Sequence, residues 1–229
     1  MVVFLNTEAD TNATANALPS GRFISFEGTE GVGKTTAIET LCARLQANGI
    51  DYVRTREPGG SPFAERLRAI LLDPATDITD DTELLLMFAA RCDHIQQLII
   101  PALERGTWVI CDRFTDSTVA YQGFGRAYGN ELALAKIDSL ITQFIPQLPD
   151  LTLWLDLPVA EGMARAGKRS VADRFEQQAM AFFSRVHEGF TALAGKHPER
   201  ICRIDASGNA DEVSARIWQV VQEKLPMKD

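Results

Sequence analysis

The chain has 229 residues, 45% hydrophobic and 24% charged, with a formal net charge of −8, which is the composition of a globular protein of one large or two small domains. That charge excludes general affinity for nucleic acid or an anionic membrane, since both rest on excess positive charge, and no stretch approaches the ~20 apolar residues of a membrane helix. The four cysteines (Cys42, Cys92, Cys111, Cys202) and three histidines are scattered without metal-ligand spacing, so the thiols read as reduced and no zinc site is expected.

Residues 1–20 hold a brief apolar start, then small polar residues, and no Lys or Arg. They lack the basic start and long apolar core of a signal peptide. A disordered extension is expected, on a cytoplasmic protein. The first apolar run, Phe23–Phe26, leads into Gly28-Thr29-Glu30-Gly31-Val32-Gly33-Lys34-Thr35, and a helical pattern follows over 34–48, ending at Gly49. The spacing fits G-x-x-x-x-G-K-[ST] at every fixed position. Glycines let the backbone curl so that its N–H groups face phosphate oxygens, and the helix N-terminus adds positive potential. Lys34 would reach the β and γ phosphates of a nucleoside triphosphate and the Thr35 hydroxyl would join a Mg2+ shell. A glycine turn with a chance lysine is the bland alternative, and the strand before the loop and the helix after it weigh against that reading. The loop is silent about where the phosphate goes.

Tyr52-Val53 begins a second strand, followed by Thr55-Arg56-Glu57-Pro58-Gly59-Gly60 and a helix over 61–72 that carries Arg68. Alone, Glu-Pro-Gly-Gly is only a turn; at the same sheet edge as the phosphate loop it is a candidate wall of a site. A long helix over 81–105 contains Leu84-Leu-Leu-Met87-Phe88-Ala89, with no polar face for more than a turn. Such a helix needs cover on more than one side, as a core helix or as the seam of a homodimer, and both remain open.

Trp108–Cys111 is a third strand ending in Asp112-Arg113. From there a carboxylate can face the phosphate loop and hold Mg2+ or an acceptor, and an arginine can reach the ligands of an open α/β sheet. A salt bridge at the strand end would explain Asp-Arg alone; beside a phosphate loop the functional reading is stronger. A helix over 131–144, a fourth strand at Leu151–Leu155, a helix over 174–195, a fifth strand at Ile201–Ile204 and a helix over 210–225 complete the pattern. Between strand four and its helix lies the basic stretch Arg165-Ala-Gly-Lys168-Arg169-Ser-Val-Ala-Asp173-Arg174. Charge runs are usually solvated faces. In an acidic protein this one reads as a lid, about residues 163–175, that brings arginines to a phosphoryl group and excludes water.

Strands alternating with helices, with runs one, three and four apolar throughout or nearly so, specify an α/β three-layer sandwich: a five-stranded parallel sheet flanked by helices, in one domain over 21–229. No Asn is followed by Lys, so the N-K-x-D segment of a guanine-reading switch is absent. Another small-molecule kinase, or a nucleotide-dependent switch, stays as the alternative on these residues alone.

Taken together, FEGTEGVGKTT, TREPGG, LLLMFAAR, VICDRF, STVAYQG and RAGKRSVADRFEQ, in this order from about Arg22 to the C-terminus, resemble the bacterial thymidylate kinases, a P-loop nucleoside monophosphate kinase family. The resemblance implies transfer of the γ-phosphoryl group of ATP to dTMP with Mg2+, in a homodimer paired through the helix near 81–105. By motif it places Gly28, Thr29, Glu30, Gly31, Val32, Gly33, Lys34, Thr35 and Thr36 on ATP, and Thr35 and Asp112 near the metal. Arg56, Glu57, Pro58 and Arg68 would line the acceptor site, Arg113 would bind its phosphate beside Asp112, and Arg91 would hydrogen-bond a thymine carbonyl. Ser117, Thr118, Tyr121 and Gln122 would read base and deoxyribose, with the Tyr121 ring against the sugar. Family members often place a base-stacking aromatic four residues before the base-binding arginine; that position is Met87 here, with Phe88 three before, so Phe88 is expected to stack with Met87 beneath it. The phosphate loop carries no arginine, so the catalytic cations, besides Lys34 and Arg113, are expected from the lid, as Arg165 and Arg169.

Overall fold

The structure, a computed structural model, describes residues 21–167 and 180–226. Residues 1–20 and most of the expected lid, with Arg169, lie outside them.

Strand β1 (Phe23–Glu27) runs into the glycine loop and helix α1 (Lys34–Ala47). Then come β2 (Tyr52–Arg56), α2 (Pro62–Leu72) and α3 (Asp80–His94). A π-helical stretch at Ile95–Ile99 leads into α4 (Ile100–Glu104) and β3 (Trp108–Asp112). Helix α5 (Thr115–Thr118) continues as a second π-helical stretch, Val119–Arg126, before α6 (Glu131–Phe144). Strand β4 (Leu151–Asp156), α7 (Val159–Ala166), α8 (Met180–Lys196), β5 (Ile201–Asp205) and α9 (Ala210–Lys224) follow.

The five strands form one parallel sheet in the order β2-β3-β1-β4-β5. β1 and β4 are buried at every position, and β3 at all but its last. The edge strands β2 and β5 are only partly covered. This is why strands one, three and four are mostly apolar and the edges are less so. Side chains alternate across the pleat. Ile24 and Phe26 enter a core with α1 and α9, whereas Phe23 enters one with Leu84, Phe88, Ile95 and Phe114.

Local chemistry sets the helix limits. Gly33, at φ 95°, starts α1, and Gly49, at φ 70°, lies just past its end, a left-handed conformation that glycine adopts without steric cost. The Ser61 hydroxyl caps α2 through Ala64 N, with Pro62 behind it, and Thr79 caps α3. The helix expected over 81–105 is one run interrupted by the π-helical stretch. Pro101 supplies no N–H to the preceding turn, and the wider winding accommodates its ring. Leu84 and Phe88 of α3 are buried, but Leu85 is 58% exposed, so within one chain this helix is not covered on all sides.

Helices at 115–126 and 159–166 depart from the sequence expectation, and each adds a close glycine contact to an apolar face that carries Val119, Ala120 and Tyr121 in the one and Val159 and Met163 in the other. A Cβ on Gly189 of α8 would lie 2.9 Å from Ala120 Cα, and one on Gly125 2.7 Å from Phe182. The missing side chains let the two helices approach. Helix α7 is likewise seated through Gly162.

Candidate active site

The carboxyl ends of β1, β2 and β3 lie side by side, with Phe26 and Arg56 each in register with Asp112. The three sequence segments that follow these strands therefore meet at one edge of the sheet.

The phosphate loop is held from behind by backbone contacts. A Cβ on Gly28 would lie 2.6 Å from Leu155 O, and one on Gly31 1.9 Å from Gly162 O in α7. Lys34 Nζ donates to Gly28 O and Thr29 O at 3.1 and 2.9 Å. Burial first, and the Arg113 charge second, pull its ammonium below the ordinary value. Thr35 and Thr36 are exposed at the start of α1, and Val32 is buried in the core behind the loop. The Val32 side chain thus anchors the loop, leaving its backbone to face a nucleotide.

Glu30, expected among the ATP-binding residues, keeps its backbone in the loop. Its side chain turns out of the loop into a neighbouring cavity, where Oε1 accepts from Arg113 Nη2 at 2.6 Å and Oε2 from the Tyr121 hydroxyl at 2.7 Å. Burial pushes the Tyr121 phenol well above its ordinary value, which keeps it a donor. Arg113 itself sits at φ 70°, a left-handed conformation costly for a residue with a side chain. Its Nη1 donates to Gly28 O and Ser117 Oγ, and its guanidinium lies 4.8 Å from the Tyr121 ring centroid.

That cavity gathers nearly all the expected acceptor residues. Glu30, Arg113 and Asp112 form the side next to the phosphate loop; Arg56, Glu57, Pro58 and Arg68 form the second wall. Met87 and Arg91 come from α3, and Ser117, Thr118, Tyr121 and Gln122 close the third. Arg68 donates to Pro58 O at 2.8 Å, across the cis Glu57–Pro58 bond, and Arg56 pairs with Glu65. A cavity of about 720 Å3 opens elsewhere, between α6 and the end of α8. It is larger, but it touches no residue of the phosphate loop, so the first is the better placed for chemistry.

Arg91 is 4% exposed. Its Nε donates to Glu57 at 2.5 Å and its Nη2 to Phe114 O and Thr118 Oγ1; Nη1 is buried without a protein partner. Phe88, expected to stack on a ligand, is 3% exposed and packs in the core 5.1 Å beneath the Arg91 guanidinium. The residue that reaches the cavity at this turn is Met87. The two expected positions are therefore exchanged: the aromatic ring supports Arg91, and the thioether forms the wall.

Asp112 Oδ1 is also buried and without a protein partner. Among the described residues, no three His, Cys, Asp or Glu side chains cluster as a metal site. Arg165, on α7, pairs with Glu161 one turn earlier and does not line the cavity.

Three further residues belong to this framework. Glu27 accepts from Phe114 N and Ser117 Oγ, and burial together with the nearby Asp116 pushes its carboxyl up to about 8. Its signal in the sequence is a carboxylate closing an otherwise apolar strand. Glu83 accepts from Gln122 at 3.1 Å, and His94 holds Glu57 from behind; neither stands in a recognisable motif.

A phosphate loop after the first strand of a sheet ordered 2-3-1-4-5, opening beside an arginine-lined cavity, is the arrangement of an ATP-dependent nucleoside monophosphate kinase. Comparison with known proteins gives the particular family. The sequence model described as thymidylate kinase matches residues 26–217. A curated thymidylate kinase of a Psychrobacter species is 69% identical over 205 residues, covering 90% of this chain and 99% of its own. Another, from Alkalilimnicola ehrlichii, is 56% identical over 188 residues, covering 81% and 85%. The crystal structure of thymidylate kinase from Ehrlichia chaffeensis superimposes with a TM-score of 0.72 at 34% identity, covering 89% of this chain and 99% of that one. The chain belongs to the thymidylate kinase family, a phosphotransferase with ATP as donor and dTMP as acceptor.

Proposed function

We propose that the glycine loop and α1 receive ATP, that the adjoining cavity receives dTMP, and that Arg113 joins the two sites. The observation that carries this division is the pair of contacts made by one guanidinium: Arg113 bonds Gly28 O in the phosphate loop while lining the acceptor cavity with Ser117 and Glu30. A phosphoryl group passing between the sites has to cross in front of it.

Attack by an oxygen of the dTMP phosphate on the γ-phosphorus forms one P–O bond as the bond to the ADP oxygen breaks. The attacking oxygen is already anionic, so no strong base is needed; the protein's work is alignment and charge neutralisation. Lys34 releases the loop carbonyls to meet the donor phosphates. Arg113 faces the acceptor phosphate, with Arg56 and Arg68 on its outer side. Arg91 Nη1, already desolvated, is aimed at a thymine carbonyl, beside Thr118 and Gln122, and Met87 lies against the base. The Tyr121 ring is the sugar wall.

The Thr35 hydroxyl and the unpartnered Asp112 Oδ1 fit the hard oxygen shell that Mg2+ prefers, with phosphates and water completing it. Bound there, Mg2+ would neutralise charge on the β and γ oxygens. Residues 21–229 act as one kinase domain with a lid at about 163–175, from which Arg165 and Arg169 supply further positive charge. A homodimer through the exposed side of α3, around Leu85, completes the reading. No described helix is long and apolar enough to cross a membrane, and a cytoplasmic location agrees with a soluble nucleotide substrate.

The test is ADP release with ATP and dTMP, for the wild type and for Arg113→Met. The variant is expected to lose about 100-fold or more in kcat, the scale of removing one preorganised charge from a transition state. Unchanged turnover would remove Arg113 from the junction.

A further inference from the structure

Behind Arg91 runs a line of buried polar groups that leads away from the cavity through Glu57 to His94 and Thr55. Arg91 Nε donates to one oxygen of Glu57 (2.5 Å), the other Glu57 oxygen lies 3.0 Å from His94 Nδ1, and His94 Nε2 lies 2.7 Å from Thr55 Oγ1. The four side chains come from β2, the loop after it and the end of α3. His94 is 0% exposed, Arg91 and Glu57 each 4%, and Thr55 8%. A Cβ on Gly60 would fall 2.3 Å from His94 Nε2, so the glycine turn closes directly over the ring.

We propose that His94 is a positioning residue for base recognition: it fixes the plane of the Glu57 carboxylate, and through it the direction of Arg91. An ionised carboxylate only accepts hydrogen bonds, so Nδ1 carries the hydrogen shared with Glu57. In the neutral ring Nε2 then accepts from the Thr55 hydroxyl, which selects that tautomer. The Arg91 guanidinium is planar and already spends Nε and Nη2 on the protein. The heading of its remaining Nη1 is set by how the carboxylate at Nε is turned. A carboxylate tied at one oxygen can swivel about that bond; tied at both, it cannot. His94 supplies the second tie.

This rests on the assignment of Arg91 to the thymine, and the experiment separates the two. Steady-state kinetics with varied dTMP and varied ATP are measured for His94→Leu, His94→Asn and Arg91→Ala, with melting temperatures alongside. His94→Leu is expected to raise the dTMP KM about tenfold while kcat stays within about twofold and the ATP KM is unchanged, the scale of one charge-assisted hydrogen bond. In His94→Asn the side-chain amide occupies the place of Nδ1–H and should bring the dTMP KM back to within about threefold of wild type, the residue of an imperfect hydrogen bond. In an Arg91→Ala background, His94→Leu should add nothing, because the group it orients is gone. Equal losses in kcat and in both KM values, or no recovery in His94→Asn, would make His94 merely structural and overturn the proposal. An Arg91→Ala enzyme with the wild-type dTMP KM would overturn the base assignment itself. Thr55→Val leaves the ring in place and serves if His94→Leu does not fold: a rise in dTMP KM alone supports the line of contacts, and an unchanged KM breaks it.

Discussion

The Arg113 guanidinium and the Glu30 carboxylate meet at 2.6 Å, although one belongs to the end of β3 and the other to the phosphate loop. The phosphate loop thereby contributes a side chain to the neighbouring cavity, which we propose receives the acceptor. Glu30→Ala should accordingly raise the dTMP KM about tenfold or more, the scale of losing a charged hydrogen-bond partner, and lower kcat as Arg113 loses its orientation. The ATP KM should change little. Titrating each nucleotide separately decides it; a rise confined to ATP would return Glu30 to the donor side.

The exchange between Met87 and Phe88 gives a paired expectation. Met87→Ala should raise the dTMP KM severalfold, as one apolar wall contact is lost, while the melting temperature hardly moves. Phe88→Ala should instead destabilise the fold by about 3–5 kcal/mol, the usual result of emptying a buried aromatic site. Urea unfolding and dTMP kinetics on both variants check this. A stable Phe88→Ala enzyme with a raised dTMP KM would place the ring against the base after all.

Glu27 predicts a pH dependence of stability. Its carboxyl, ordinarily near 4.5, is raised to about 8, by burial foremost and by the Asp116 charge after it. Between those values the native state keeps a proton that the unfolded chain has lost, so the stability Glu27 contributes is complete below about 4.5 and falls as the pH rises toward 8. Glu27→Gln removes the ionisation. The difference in urea midpoint between variant and wild type should therefore grow in the variant's favour from pH 5 to pH 8.5. A constant difference across that range would show that Glu27 does not titrate there.

What was legible in the sequence, and what was not, divides on physical grounds. β1, β3 and β4 are buried on both faces, so their apolar runs mark them directly, and the parallel sheet follows. The glycine loop is legible because its chemistry is local: every part of it lies within Gly28–Thr35. That one cavity would gather these segments was legible too, since Arg56, Arg91, Asp112, Arg113 and Tyr121 stand in motifs that meet at one sheet edge. Directions were not. Nothing in the order of residues turns Glu30 away from the donor, because Arg113 and Tyr121, 83 and 91 positions on, hold it there. The helix at 115–126 hid because two glycines and β-branched residues argue against a helix until α8 packs on them. His94 is three residues after Arg91, on a face shared by many helical neighbours, and only Glu57 gives that proximity meaning.

Gly31 and Gly162 meet through their backbones, with no side chain between them. Side chains cushion most helix–loop contacts and can absorb a shift by changing rotamer; here there is nothing to absorb it. A rotation of α7 is therefore felt as a displacement of the Gly31 peptide, and a displacement of that peptide is felt at α7. The phosphate loop and the helix that carries Arg165 are geared rather than merely adjacent. Whatever moves one of them sets the other.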